Sequence, residues 1–255
     1  MKNTLIICQA RYASTRLPGK VLLTIQNKPL LWYLLRRLEL VKTPNRIIIA
    51  TSTSNSNKPL LDYLKEQKID YYAGDELNVL DRFYQTAKCY NGEIIVRITA
   101  DCPLIDSTLI DRGLEIFLKN DFDYLSNVHP PTFPDGFDIE IFTFKALETS
   151  WKTAKLNSEK EHVTPFIYNN PKLFNIENFQ NDKDLSNIRL TVDTKEDFIL
   201  ISKIIEHFHD SWTKFELKDI INFINQNPNL LKINAQYKRN EGYFKSLKED
   251  KVINT

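Results

Sequence analysis

Arg11, Arg16 and Lys20 fall in one stretch with no acid among them, and the hydroxyls of Ser14 and Thr15 stand between. Fixed cations, hydroxyls and the free backbone N–H groups of a loop are the donors that cradle a polyanion such as a phosphate chain. On an arbitrary surface the same three cations would form a solvated basic loop, so position has to decide. The apolar run Leu5-Ile6-Ile7-Cys8 precedes them and is short enough for one buried strand. Pro29 then opens a segment with Leu30, Leu34, Leu38 and Val41 at helical spacing. A loop at the carboxyl end of a leading strand is where open α/β sheets collect their ligands.

Two carboxylates share that kind of position. Asp101 lies in Thr99-Ala100-Asp101-Cys102-Pro103, just past a run from Glu93 to Ile98 that reads as a strand, and Pro103 keeps the backbone there out of helix. Asp193 closes Ile188-Arg189-Leu190-Thr191-Val192, which reads as another strand. Carboxylates at two strand tips can hold one hard cation such as Mg2+, with phosphate oxygens and water in the other positions. The competing reading is helix capping, with Asp193 and Glu196 three residues apart at the start of a helix. Taken with the cationic loop, the pair favours a metal–nucleotide site.

The elements that must position these groups follow from periodicity. Short apolar runs at Arg46–Thr51 (after Pro44-Asn45) and Asp70–Ala73 alternate with helical patterns opened by Pro59, by Val79 (to Tyr90) and by Asp106 (to about Leu118). That alternation argues for a parallel sheet with helices on both faces. Beyond residue 122 the rhythm changes. Phe122–Leu125 is a further strand candidate, and Phe137–Phe142 alternates apolar and acidic residues like a half-buried strand. Helices are expected over Lys145–Lys155 and Glu159–Asn169, strands over Leu173–Phe179 and Ile188–Val192, and two last helices near Lys195–Phe208 and Phe215–Gln226. Residues 1–230 read as a single domain and 231–255 as a C-terminal extension, an arm or a frayed end.

At 255 residues the chain can bury a proper core, and a net charge of +1 supplies no global field toward nucleic acid or membrane, so anion binding has to be local. Three scattered cysteines make neither a disulfide framework nor a zinc site. With no signal-like segment and no apolar run near the roughly 20 residues a bilayer needs, the expected compartment is the cytoplasm.

The first loop, Ala10-Arg11-Tyr12-Ala13-Ser14-Thr15-Arg16-Leu17-Pro18-Gly19-Lys20, is similar to the signature of the sugar-acid cytidylyltransferases, notably CTP:3-deoxy-manno-octulosonate cytidylyltransferase. The whole chain resembles more closely the spore coat polysaccharide biosynthesis protein F branch of the acylneuraminate cytidylyltransferase superfamily. The segments that carry this are Val79–Phe83, Arg97–Ile105, Phe133–Gly136, Glu161–Pro165 and Thr191–Thr194, in family order, with Asn240–Tyr243 also similar. The resemblance implies an α/β fold, a three-layer αβα nucleotidyltransferase domain with a mainly parallel central sheet, similar to the glycosyltransferase A scaffold. It implies that Arg11, Ser14, Arg16 and Lys20 bind the CTP triphosphate, that Arg82 and Thr99 lie near the nucleotide, and that Asp101 and Asp193 hold Mg2+. Arg16, Lys20, Asp101 and Asp193 would then carry catalysis. A homodimer is implied as well, with CTP and a small sugar acid as the partners, and the product would be a CMP-activated acid for surface polysaccharide.

The acceptor side is read from Arg97, Asp138, Glu140, Glu161 and His162. Asp138 and Glu140 share a strand face that meets the site or solvent. Glu161 and His162 begin a helix, where capping competes with substrate binding. For Arg97 a buried ion pair competes with carboxylate recognition. Where the octulosonate enzymes carry Gly-Asp-Glu-Pro this chain has Ala100-Asp101-Cys102-Pro103, a departure that bears on which acid is taken. Two other readings stand beside this one: a glycosyltransferase using Asp121-Phe122-Asp123, and a catalytically silent nucleotide-binding protein. A dehydrogenase is disfavoured because no GxGxxG follows the first strand.

Overall fold

The computed structural model describes residues 2–43 and 46–250, so Pro44-Asn45, read as introducing the second strand, lies outside the described residues. Leu5, Ile6, Ile7 and Cys8 form the middle of strand β1 (Thr4–Gln9) and are fully buried. A strand buried on both faces belongs in a parallel sheet covered by helices. A small hairpin follows, β2 (Thr24–Ile25) with β3 (Lys28–Pro29), and then α1 (Leu30–Leu38). The alternation continues through β4 (Arg46–Ser52), α2 (Lys58–Glu66), β5 (Tyr71–Gly74), α3 (Val79–Cys89), β6 (Ile94–Thr99) and α4 (Ser107–Lys119). Helix starts are set by side chains. Asn78 accepts from the Asp81 N–H at 3.0 Å and Asp106 from the Thr108 N–H at 2.9 Å.

The second half supplies β7 (Tyr124–Ser126), β8 (Glu140–Thr143), α5 (Phe144–Thr153), α6 (Asn157–His162), α7 (Pro165–Tyr168), β9 (Ile176–Asn178), α8 (Lys195–His207), α9 (Leu217–Gln226) and α10 (Glu241–Lys248). The sheet order is β5-β4-β1-β6-β8-β7-β9. β1 runs parallel to β4 and β6, β4 to β5 and β7 to β9, while β8 is antiparallel to both of its neighbours. Strand alternation builds two cores. Ile6, Cys8, Ile49, Val96 and Ile98 pack with α1, α4, α8 and α9, whereas Leu5, Ile7, Ile48 and Ile95 pack with α3, α5 and α7. The expected three-layer αβα architecture is the observed one. The chain moves outward from β1 to β4 and β5, then returns to β6 on the other side, so the carboxyl ends of β1 and β6 flank the switch point where ligands settle.

Several expected elements differ. The strand read at Phe137–Phe142 begins only at Glu140, because Phe137 and Asp138 belong to a tight loop around Gly136. The segment Ile188–Val192 makes a single bridge, Arg189 to Asp135, and its other main-chain bonds go to loops. The strand read at Leu173–Phe179 is confined to β9, three residues of that span. The helix expected over Glu159–Asn169 is two short helices, because Val163 adopts a φ of 73°, which breaks the ladder between α6 and α7. The C-terminal extension contains α10, packed against α6. Among the described residues no helix is long and apolar enough to cross a membrane.

Candidate active site

The first loop is held at both ends. The Ala10 N–H donates to the Ala50 carbonyl at 3.1 Å, and the Gly19 N–H closes back on the Tyr12 carbonyl at 2.9 Å. Between them the Tyr12 N–H donates to Asn57 Oδ1 at 2.9 Å, while buried Asn57 bonds Thr51 Oγ1 and the Ser52 carbonyl, each at 2.7 Å. The loop is thereby tied to the tip of β4. Arg11 and Arg16 are exposed on it, Ser14 is half-buried, and Lys20 turns inward.

Lys20 brings the distant carboxylates together. Its ammonium donates to Asp101 Oδ2 at 2.9 Å, to Asp193 Oδ1 at 2.7 Å and to the Val192 carbonyl at 2.9 Å. The two acidic segments are also joined through the main chain, with the Val192 N–H on the Asp101 carbonyl at 2.8 Å. Burial pushes the Asp101 carboxyl up, but Lys20 and hydrogen bonds from Thr99 and Cys102 outweigh it, leaving the group at about 2. Burial likewise opposes charge on Lys20, and Asp101 and Asp193 reverse that, so its proton is held more tightly than usual. Thr99, expected beside the nucleotide, stands at the end of β6 and supports Asp101.

Asp193 does not cap α8. The cap is Thr194 paired with Asp197, whose carboxylate also accepts from the Asp193 and Thr194 N–H groups at 3.0 Å. The Asp193 carboxylate is left to Lys20, to Arg16 at 2.7 Å and to Arg189 at 3.3 Å. Arg189 was not singled out by the sequence reading. It is buried between Asp135 at 2.8 Å, Asp193 and Asp197, and burial's pull on its proton is overcome by these carboxylates. Arg16 has a second partner in Glu241, at 3.2 Å, from the start of α10.

Arg82 is buried in α3 and donates to the carbonyls of Asp75 and Glu76 at 2.7 and 2.9 Å. Burial and then nearby Arg11 lower its pKa to about 10. For the residues read as acceptor-binding the alternatives separate. Arg97 forms a buried ion pair with Glu140 and bonds Gln9 at 3.0 Å. Glu140 meets neither solvent nor open space; Tyr124 and Thr164 also donate to it, each at 2.6 Å. Asp138, outside the strand, pairs with Arg239. Glu161 accepts from Ser246 at 2.7 Å, and the His162 Nε2 lies 3.0 Å from the same hydroxyl, with the Tyr243 ring 5.0 Å away. Burial holds His162 near 4, and Glu161 only partly offsets it. The first loop, Asp101, Asp193 and Arg16 are thus one constellation, while Asp138, Glu161 and His162 meet the C-terminal segment. The sequence reading missed Arg189, Asp135, Asp197, Arg239 and Glu241 as a connected set, because each finds its partner through the fold.

Asp121 and Asp123 lie at the amino end of β7, which runs parallel to β6, and therefore at the opposite end of the sheet from Asp101. They fasten Asn175: its N–H donates to Asp123 at 3.0 Å and its side-chain amide to the Asp121 carbonyl at 2.6 Å. That is a structural use.

Comparison with known proteins gives the family. The profile of the cytidylyltransferase family matches residues 5–245. An uncharacterized protein of Methanocaldococcus jannaschii is 40% identical over 235 residues, covering 91% of this chain and 95% of its own length. The spore coat polysaccharide biosynthesis protein SpsF of Bacillus subtilis is 30% identical over 240 residues, covering 89% and 96%. The solved structure of a cytidylyltransferase from Leptospira borgpetersenii superposes with a TM-score of 0.87 at 34% identity, covering 93% of this chain and all of that one. With the match spanning the cationic loop and both converging carboxylates, the chain belongs to the cytidylyltransferase family and is a CTP-dependent nucleotidyltransferase.

Proposed function

We propose that the protein transfers CMP from CTP to a hydroxyl of a sugar acid or related hydroxy acid, releasing pyrophosphate, in the making of a surface polysaccharide or glycoconjugate. The observation that carries this is the meeting of Asp101 and Asp193 on one cation, the Lys20 ammonium, beside the basic first loop. The acceptor hydroxyl oxygen bonds to the α-phosphorus as the bond to the β-phosphate oxygen breaks in line, and the hydroxyl proton is lost to solvent. Arg11, Ser14, Arg16 and Lys20 would hold the triphosphate, and Arg16 and Lys20 would stabilise charge growing on pyrophosphate. Most of the work is positioning and electrostatics. Arg82 and Thr99 would lie near the nucleotide, with Thr99 also supporting Asp101.

The donor set fits a divalent cation. Two carboxylates already converge on one positive charge, the Lys20 ammonium. Mg2+ takes one or two carboxylates and completes its shell with phosphate oxygens and water. Asp101 and Asp193 would hold it, and it would supply neutralisation of phosphate charge. The proposal places the enzyme in the cytoplasm as a homodimer, with residues 1–230 as catalytic domain and 231–255 as an extension. Light scattering on the purified chain tests the dimer.

Incubation with CTP, Mg2+ and a panel of sugar acids should release pyrophosphate and form CMP-linked product. Absence of pyrophosphate with every acid, together with turnover of a nucleotide sugar, would hand the function to the glycosyltransferase reading. The far-end placement of Asp121 and Asp123 weighs against that outcome.

A further inference from the structure

Arg239 reaches Asp138 from far along the chain, on the segment leading into α10. The segment is anchored rather than loosely draped. Buried Asn234 donates to the Arg189 carbonyl at 3.1 Å and to Asp197 at 2.8 Å, and the Tyr237 hydroxyl donates to Glu196 at 2.9 Å. Arg189, a partner of Asp193, also reaches the Lys238 carbonyl at 3.4 Å, and Arg16, another partner of Asp193, reaches Glu241. Arg239 is therefore bracketed in the chain by two contacts to groups that touch Asp193.

Its guanidinium pairs with Asp138 and donates to the Phe133 carbonyl at 3.0 Å, while its buried Nε N–H has no partner among the described residues. A buried guanidinium donor left unpaired is unfavourable unless a water or another molecule supplies the acceptor. Arg36, Arg82 and Arg97 also have an unpaired Nε, but Arg36 pairs with Glu39, Arg82 is spent on the Asp75 and Glu76 carbonyls, and Arg97 is locked to Glu140, whose side chain is 5% exposed and held by Tyr124 and Thr164. Asp138, by contrast, keeps 28% of its side chain exposed. A planar fork of donors facing a replaceable carboxylate is suited to another carboxylate.

We propose that Arg239 recognises the carboxylate of the acceptor, which displaces Asp138 from the guanidinium when the acceptor enters; the proposal rests on the sugar-acid reading above. Asp138 is a weak competitor, since burial and its neighbours Asp135 and Glu140 outweigh the pull of Arg239 and raise its carboxyl to about 7.

The test is a thermal-shift titration of the full chain with Mg2+ and the α,β-methylene analogue of CTP, which occupies the donor side without turnover. The probes are 3-deoxy-manno-octulosonate and a set of aldonic and uronic acids, each beside its neutral primary amide. At least one acid, and not its amide, should raise the melting temperature of the wild type. Arg239→Gln should weaken that acid's apparent affinity at least tenfold and leave affinity for the CTP analogue unchanged, while Arg239→Lys keeps part of it. Asp138→Asn, which removes the competing anion and keeps Arg239, should tighten acid binding and serves even if Arg239→Gln folds poorly. Undiminished acid binding by Arg239→Gln, equal binding of acid and amide, no tightening in Asp138→Asn, or a nucleotide-bound wild type that responds to no acid would each overturn the proposal. A wild type that fails to bind the CTP analogue would instead sink the nucleotidyl-transfer reading, and this proposal with it.

Discussion

Lys20 sits between two carboxylates that would otherwise face each other in a poorly hydrated crevice. Removing one partner from such a cluster typically costs about 3–5 kcal/mol, because uncompensated charge is left behind. Lys20→Gln should therefore unfold at a clearly lower urea midpoint at pH 7. The pKa of Asp101 is depressed in the folded state, so this stabilisation is present above the ordinary 3.8 and fades as pH falls toward 2. The gap between wild type and variant should accordingly narrow in acid. If the two carboxylates form a cation site, Mg2+ without nucleotide will raise the melting temperature of Lys20→Gln more than that of the wild type; equal shifts would count against the site. Asp101→Asn and Asp193→Asn should each lower turnover by several kcal/mol of barrier, on the order of a thousandfold, with the fold retained by circular dichroism.

Loops rather than regular elements bring the two halves of the site together. Gly136 turns the loop before β8 with a φ of 105°, and a Cβ there would lie 2.5 Å from the Leu190 carbonyl oxygen. Gly136→Ala combines a backbone penalty of about 1–3 kcal/mol with that clash. It should lower both stability and activity, because the Asp135 N–H and carbonyl next to it hold Ile188 and Leu190. The start of α10 works differently. Glu241 neutralises Arg16, the residue proposed to meet the triphosphate, through an ion pair about 40% exposed on each side. Exposed pairs are worth roughly 0–1 kcal/mol, so Glu241→Gln should tighten CTP by at most about fivefold in calorimetry. Weaker binding would show that Glu241 aids the nucleotide. The alternation of strands and helices up to α4 was legible because periodicity is local. The Ile188–Val192 run misled for the same reason. Its apolar pattern reflects burial under loops, and burial alone does not say whether a neighbouring strand is present.

Across the whole molecule, charge is balanced overall and organised locally, so pH acts through a few buried groups. His162 is held neutral by burial down to about 4 against an ordinary 6.5, so the unfolded chain gains a proton first and stability falls as pH drops from 6.5 to 4. Asp138 acts oppositely. With its pKa raised from 3.8 to about 7, the folded chain keeps a proton the unfolded chain has lost, and stability falls as pH rises through that window. The melting temperature of His162→Gln should therefore decline more steeply with rising pH between 4 and 6.5, and that of Asp138→Asn should climb. Parallel curves would remove both residues from the account. The meeting of the first loop with Asp101 and Asp193 was readable because the first-loop signature is contiguous and Asp101 and Asp193 end recognisable segments. The ion pairs that complete it were not, since Arg189–Asp135, Arg239–Asp138 and Arg16–Glu241 span 54, 101 and 225 residues.

Those spans have a temporal meaning. Translation runs from the amino end, and domains begin to fold as they emerge. Arg11, Lys20, Asp101 and Asp193 all leave the ribosome before the anchored segment that carries Arg239 and Glu241. That late segment also fastens Arg189 and Asp197 through Asn234, so the groups around Asp193 take their final arrangement only once it has emerged. In order of birth, the residues proposed to grip the triphosphate come first, and the segment that fixes them comes last.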